Sequence, residues 1–193
     1  MASEPTTATR KPRADSVRNR ERLMAAAAEI FRAGGPEASL EAVARRAGVG
    51  IGTLYRHFPT REALFEAVYR REVEQLAALA ERLAADTEDP VQALRAWVQA
   101  GIGLVATKRG MLTALALAID SSSDVYAFSA ANLTRAAGLL LDRAIAAGAI
   151  REDVAADEFL HAMVGMAMMG KEPGWDIKVV RLLDIFVDGL TRR

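Results

Sequence analysis

Residue types that can bind a phosphate or a polar ligand are concentrated in residues 47–58, which read AGVGIGTLYRHF. Three glycines alternate there with two aliphatic residues, and a hydroxyl, a phenol, a guanidinium and an imidazole follow between residues 53 and 57. A glycine loop can hold the phosphates of a nucleotide, whereas a glycine turn can set a helix against DNA. The first arrangement predicts an enzyme and the second a regulator.

The surrounding sequence argues against a nucleotide loop. A dinucleotide-binding loop follows a strand, spaces its glycines as G-x-G-x-x-G and lies in a βαβ unit. Here the residues before Gly48 have helical periodicity, Thr53 stands where the third glycine belongs, and no strand-like alternation occurs along the chain. A kinase-type loop lacks its strands for the same reason.

The sequence contains few residues that could support other catalytic or metal-binding chemistry. The chain has no cysteine, which excludes disulfides, thiolate zinc sites and cysteine nucleophiles. The serines at 121–123 have no histidine near them in the sequence to act as a base, so we interpret them as a loop. His161 follows Asp157 and Glu158 at helical spacing, but without a second imidazole we expect a solvated or dimer-contacting histidine. We therefore predict no catalytic residue, metal or cofactor.

Apolar residues recur at spacings of three and four, which predicts an all-α chain of about nine helices. Residues 1–15 are polar and charged and are expected to form a disordered basic arm. The predicted helices cover residues 16–33, 40–47, 50–58, 60–85, a fifth from residue 90, then 111–119, 122–147, 155–169 and 176–191.

The helix predicted over residues 50–58 has the pattern of a DNA-reading element. Leu54 and Phe58 are four residues apart and point inward, because successive residues turn by about 100°. Ile51 can touch a thymine methyl group, and the polar side chains can donate hydrogen bonds to phosphate. The outward side and its flanks hold Gly52, Thr53, Tyr55, Arg56 and His57. The alternative is an ordinary helical corner with a solvated polar face.

The charge distribution is compatible with a polyanionic partner. The chain has no formal net charge, but residues 1–60 contain ten Arg and Lys against six Asp and Glu. The remaining residues reverse this balance, with 15 basic and 19 acidic residues. A basic N-terminal third is the electrostatic footprint expected of a nucleic-acid-binding domain.

The run from residue 39 to residue 68, SLEAVARRAGVGIGTLYRHFPTREALFEAV, resembles the DNA-binding signature of the TetR family of bacterial transcriptional regulators. The A-x-x-A-G-V turn, the T-L-Y-x-x-F recognition helix and the R-E-x-L-F start of the fourth helix carry the resemblance. It implies a three-helix helix-turn-helix domain over residues 16–60. A ligand-binding and dimerisation domain would follow over residues 61–193, with helix 60–85 linking the two.

The resemblance also implies roles for single residues. Ser39 would bind a phosphate, and Arg61 matches the family's basic phosphate anchor. Many members carry a polar pair where this chain has Gly50 and Ile51, so we expect little direct base readout and some help from the arm (Arg10, Lys11 and Arg13). The complete predicted DNA-contacting set is Ser39, Gly50, Ile51, Gly52, Thr53, Tyr55, Arg56, His57 and Arg61.

The two last predicted helices carry more apolar surface than one core-facing stripe needs. Nine of the fourteen residues from 177 to 190 are apolar, and residues 155–169 are apolar almost throughout. The resemblance implies a homodimer through a four-helix bundle of helices 155–169 and 176–191. A deeply buried core helix is the alternative.

A ligand pocket in the C-terminal domain is implied by the resemblance alone. Its candidate lining residues are Trp97, Met111, Leu112, Phe128, Met163, Met166, Met169 and Trp175, each of which could instead simply pack the core. The scarcity of inward charge favours an apolar or mildly polar effector.

The sequence thus predicts a cytoplasmic, homodimeric repressor that a small molecule releases from a palindromic double-stranded operator. An activator of the same family, or a helical carrier or enzyme, is the alternative. The uncharged stretch between Arg95 and Lys108, which no other uncharged stretch exceeds, is too short to span a bilayer, so no membrane partner is expected.

Overall fold

The computed structural model describes residues 11–34, 38–115, 124–169 and 174–192, which form eight helices. These are α1 (Lys11–Ala33), α2 (Leu40–Ala47), α3 (Ile51–His57), α4 (Arg61–Asp86), α5 (Pro90–Ala114), α6 (Asp124–Ala146), α7 (Ala156–Met169) and α8 (Trp175–Asp188). Within those ranges the one β-type pairing is an isolated antiparallel bridge between Ile150 and Thr191. The predicted all-α fold, with a helix-turn-helix before a helical C-terminal domain, is confirmed.

Helix boundaries in the N-terminal half follow from capping residues. The hydroxyls of Ser39 and Thr60 each accept a hydrogen bond of 3.1 Å from the backbone N–H three residues further on. Asp89 caps α5 in a similar way, ahead of Pro90 in its first turn. Gly48 ends α2 in the left-handed conformation, with φ of 67°. Each side-chain cap stabilises its helix by about 1 kcal/mol, which explains why these boundaries are readable from sequence.

The expected disordered arm is wrong for residues 11–15, which form the start of α1. Pro12 is tolerated there because the first helical turn has no intrahelical use for its missing N–H. Asp15 accepts a hydrogen bond of 2.6 Å from Arg18 one turn later, which supports this end of the helix. Residues 1–10, including Arg10, and the side chains of Lys11 and Arg13 lie outside the described part of the chain.

The separate helix expected over residues 111–119 is also wrong. Residues 111–114 are the last turn of α5, so the described ranges contain eight helices where about nine were expected for the chain. Gly110 lies inside α5, where the helix crosses α1 too closely for any side chain. An added Cβ would lie 1.7 Å from the carbonyl oxygen of Phe31 in α1. Residues 116–123, including the serines at 121–123, are outside the described residues.

The helix-turn-helix and the C-terminal helices share one continuous buried core. Helix α4 packs against α1, α5 and α6, and α5 packs against α1. Where α1 crosses α5, the Arg32 guanidinium donates to both carboxylate oxygens of Glu72 in α4, at 2.8 and 3.0 Å, and to the Thr107 hydroxyl at 3.2 Å. We call Phe31, Arg32, Glu72, Thr107 and Gly110 the α1–α5 junction. It joins the N-terminal helices to the rest of the molecule.

Candidate nucleic-acid interface

Two apolar side chains hold α3 against the N-terminal helices. Leu54 is 1% exposed and Phe58 is 2% exposed, so the prediction that they point inward is confirmed. The guanidinium of Arg20 in α1 covers the Phe58 ring, with its Cζ 5.1 Å from the ring centroid. The orientation of α3 is therefore fixed by its buried side, and the opposite side faces outward.

The outward side of α3 carries the residues predicted to contact DNA. Ile51 is 38% exposed and Tyr55 is 46% exposed, and Gly52 and Arg56 are exposed as well. Thr53 and His57 are half-buried at the flanks of this strip. The arrangement presents a short aliphatic and polar surface of the size that enters a DNA groove.

Gly50 and Gly52 have no structural role that requires a glycine. Gly50 caps α3 with a φ of −72°, which any residue adopts. A Cβ added at either position would meet no other atom within 4 Å. Glycine inside a helix costs about 1 kcal/mol relative to alanine. The fold therefore gains nothing from Gly52, which lies inside α3, and close approach of an external partner is a reason for it.

Ser39 and Arg61 each have a partner within the chain. The Ser39 oxygen accepts the capping bond of α2, which leaves its O–H free to donate to a phosphate. Arg61 is exposed, but its Nη1 donates a hydrogen bond of 3.3 Å to the carbonyl oxygen of Leu115, the C-cap of α5. Phosphate contact through Arg61 would compete with this bond.

The electrostatics at the start of α4 are mixed, because Glu62 stands beside Arg61. Hydrogen bonds from its own backbone N–H and from the Thr60 hydroxyl lower the pKa of the Glu62 carboxyl. Glu62 therefore stays charged at neutral pH and opposes an incoming phosphate at this end of the surface. Positive charge near this surface comes instead from exposed arginines such as Arg45 and Arg46 of α2 and Arg56 of α3.

The residues predicted to line a pocket are spread through the C-terminal core. Trp97, Met111 and Met163 are buried, and Trp97 donates its indole N–H to the carbonyl oxygen of Leu76 at 2.9 Å. Leu112, Phe128, Met166 and Trp175 are half-buried, and the side chain of Met169 lies outside the described residues. The set therefore includes firmly packed core residues, and its role as a pocket lining stays a prediction.

A cavity of about 570 Å³ lies beside the α1–α5 junction, between α1, α4 and α5. Arg32, Glu72, Gln75 and Arg82 are among its lining residues, and none of the seven predicted pocket residues whose side chains are described is.

Helix α8 leaves large apolar side chains in solvent. Ile177 is 74% exposed, Ile185 is 59% exposed and Leu182 is 49% exposed. They lie on the side of α8 opposite the buried Val179, Leu183 and Val187. Exposed aliphatic residues grouped on one side of a helix are typical of a contact surface.

Comparison with known proteins agrees with this geometry. Residues 23–68 match the family model described as bacterial regulatory proteins, tetR family. Residues 89–192 match the model described as transcriptional regulator SbtR-like, C-terminal domain. The second match alone covers more than half of the chain. The chain belongs to the TetR family.

Two solved TetR-family structures align along nearly the whole chain. The TetR transcriptional regulator SCO0520 from Streptomyces coelicolor is 42% identical, with 89% of this chain and 98% of that chain covered and a TM-score of 0.76. The TetR transcription regulatory protein from Mycobacterium vanbaalenii is 33% identical, with 94% and 99% covered and a TM-score of 0.68.

Among curated proteins, the HTH-type transcriptional repressor KstR from Mycolicibacterium smegmatis is 41% identical over 76 residues, which are 39% of this chain and 37% of KstR. The chain spans less than half the length of the curated relatives it matches.

The DNA-contacting set predicted for this TetR-family chain did not include three exposed arginines of α1 and α2. A Cβ at Gly48 would lie 2.5 Å from Nη2 of Arg22, so this arginine of α1 lies against the glycine turn before α3. Arg45 and Arg46 are exposed in the last turn of α2, where Arg46 pairs with Glu29 at 2.8 Å. The basic excess of residues 1–60 was their only signal, because their positions depend on how α1 packs beside α2.

His161, Asp157 and Glu158 are exposed on α7. Within the described ranges, no three His, Cys, Asp or Glu residues form a group that could hold a metal ion. None of the described helices is long and apolar enough to cross a membrane.

Proposed function

We propose that this TetR-family chain is a homodimeric regulator that binds a palindromic operator through α3 and releases it when a small molecule binds the C-terminal helices. In this proposal it acts as a repressor. The observation that carries the proposal is the exposed strip of α3, in which Gly50 and Gly52 leave space that no atom of the described residues fills.

The strip supports DNA binding through shape and hydrogen bonds. Gly52 allows the α3 backbone to approach the groove floor, while the exposed Tyr55 and Arg56 can donate to phosphates on either side. Ile51 offers an apolar contact for a thymine methyl group. Arg22 and Arg45 add positive charge beside the turn, which favours association with a polyanion.

The exposed aliphatic surface of α8 supports dimerisation. In this proposal the half-buried Val164 and Met168 of α7 contribute to the same contact, as a bundle of four helices from two chains would require. A palindromic operator presents two half-sites about 34 Å apart, one helical turn of DNA, and so needs two reading heads held at a fixed separation. A two-fold interface through α7 and α8 would provide it.

Effector control requires two conformations that differ in the spacing of the heads. Helix α4 runs from the helix-turn-helix into the C-terminal core and is the lever in this proposal. A ligand shifts such an equilibrium only by its differential affinity, so a switch from mostly bound to mostly free needs about 5 kcal/mol between the states.

The test is footprinting of the purified protein on the DNA upstream of its own gene. We expect one protected palindrome and an affinity that falls steeply with salt, because phosphate contacts release counterions. A reporter fused to that promoter should be repressed by the protein, whereas a reporter that is stimulated would identify an activator. Absence of protection on all genomic fragments, or an affinity that does not change with salt, would refute the proposed DNA binding.

A further inference from the structure

The last turns of α5 contain a lysine with an unusual environment. Lys108 is half-buried, and its Nζ lies 4.3 Å from the ring centroid of Tyr126 in α6 and 5.5 Å from that of Tyr69 in α4. The Tyr69 hydroxyl shares a hydrogen bond of 3.0 Å with Ser129. Lys108 thus enters the space between α4 and α6 rather than solvent.

No carboxylate in the described ranges forms an ion pair with Lys108. Burial lowers the pKa of its ammonium, as expected for a cation that has lost water and has no carboxylate partner among the described residues. Arg95, on the same helix, is paired with both Asp184 and Asp188. The cation–π contacts with the aromatic rings compensate only part of the hydration free energy that the ammonium loses on burial. A cation held in this way is unfavourable for folding and is typical of a binding site.

A second cation follows directly. The Cζ of Arg109 lies 4.5 Å from the ring centroid of Trp175, at the start of α8. Its Nη1 is buried without a hydrogen-bond partner in the described structure. Neighbouring residues of a helix are about 100° apart, so Lys108 and Arg109 make two adjoining faces of α5 electropositive. Aromatic rings line both faces.

We propose that the end of α5 binds an acidic group of the effector, a carboxylate, sulfonate or phosphate on an apolar or aromatic body. Lys108 is its counter-ion, and the half-buried ring of Tyr126 contacts the adjoining apolar part. The inference rests on the proposed function and deepens it, because it replaces the apolar or mildly polar effector expected from sequence with an amphipathic anion.

The position of Lys108 connects this site to the DNA-binding helices. Thr107, the preceding residue, accepts a hydrogen bond from Arg32 of α1, and Gly110 lies against the backbone of Phe31. An anion that draws Lys108 toward it therefore acts on the turn of α5 that α1 rests on. Lys108 therefore lies within one helical turn of the two residues of α5 that contact α1, Thr107 and Gly110.

The experiment uses two fluorescent probes that differ in one anionic group, 8-anilinonaphthalene-1-sulfonate and the neutral N-phenyl-1-naphthylamine. Each is titrated into the full-length protein and into Lys108→Met, with Lys108→Arg as the matched variant that keeps the charge. We expect Lys108→Met to weaken sulfonate binding at least tenfold and naphthylamine binding less than twofold. Lys108→Arg should retain sulfonate binding within about threefold.

Equal changes for the two probes, or unchanged sulfonate affinity in Lys108→Met, would overturn the inference. If Lys108→Met does not fold, Lys108→Gln is measured against Lys108→Arg by the same criterion. Operator binding is recorded on the same samples. Intact operator binding with no sulfonate preference refutes the anion site alone, whereas a wild-type protein without operator binding refutes the proposed function.

Discussion

Gly110 of α5 lies so close to Phe31 of α1 that a single methyl group at Gly110 would come within 1.7 Å of the Phe31 carbonyl oxygen. The obstacle is backbone, which cannot rotate away as a side chain would. The two helices can therefore cross at this distance only with a glycine at position 110.

Gly110→Ala should destabilise the protein in spite of the better helix propensity of alanine. Overpacking of this kind costs 1–3 kcal/mol or more, against about 1 kcal/mol gained from propensity. We expect a net loss of about 2 kcal/mol, which lowers Tm by roughly 4–8 °C. Gly103→Ala is the control, because its nearest neighbour would be the Arg32 side chain at an ordinary 3.7 Å. Equal Tm values for the two variants would contradict the close crossing.

Gly52→Ala should separate stability from DNA binding. The added Cβ meets no atom of the chain, so thermal stability should be unchanged or higher by about 1 kcal/mol. Operator affinity should fall at least tenfold, because the methyl group occupies the surface that approaches the groove. Fluorescence anisotropy with a labelled operator measures this, and a variant that binds as well as wild type would show that α3 does not approach DNA at this point.

Arg61→Ala should weaken binding to all DNA sequences alike if Arg61 contacts a phosphate. The slope of log K against log salt should then become shallower by about 0.9, the value for one lost phosphate contact. Arg135→Ala, which removes an exposed arginine of α6, should leave the slope unchanged. An unchanged slope in Arg61→Ala would assign this residue to its bond with Leu115 alone.

Glu72→Ala should destabilise the α1–α5 junction. The Glu72 side chain is 9% exposed and holds Arg32, which is 46% exposed. A fully buried pair broken on one side costs 3–5 kcal/mol, but Arg32 can regain water, so we expect about 2 kcal/mol. Chemical denaturation of wild type, Glu72→Ala, Arg32→Gln and the double variant completes a double-mutant cycle. The cycle gives the coupling free energy between Glu72 and Arg32. Additive effects of the two changes would mean that the ion pair contributes no stability.

Ile185→Asp should convert the proposed dimer into a monomer. Operator binding should weaken as a consequence, because the operator needs two linked reading heads. A carboxylate in the middle of an apolar helix–helix contact must lose its hydration without gaining a partner. Analytical ultracentrifugation reports the mass in solution. Val17→Asp, an equally exposed apolar residue of α1, should leave that mass unchanged (both are 59% exposed). A dimer that persists in Ile185→Asp would place the interface elsewhere.

The helix-turn-helix was readable from sequence because its determinants are local. Ser39, Gly48 and Thr60 mark helix ends by chemistry that acts within three or four residues. The inward direction of Leu54 and Phe58 follows from helical periodicity alone.

The C-terminal interior was less readable because its contacts join distant parts of the chain. Gly110 looks like a helix breaker until Phe31 is placed beside it. Trp97 looks as suitable for a pocket as Trp175, but its indole N–H is bound to Leu76 across the core. Lys108 has no sequence context that indicates two tyrosines around it, since those residues lie on α4 and α6.

The hydrogen bond from Arg61 to the Leu115 carbonyl has a further thermodynamic consequence. To the extent that a phosphate draws this guanidinium outward, the end of α5 loses a partner for its final carbonyl. If Arg61 binds a phosphate, the two contacts compete, and because linkage is reciprocal, whatever strengthens the bond to Leu115 weakens the phosphate contact by the same factor. Binding of the double helix and capping of the α5 C-terminus would then be coupled through one arginine side chain.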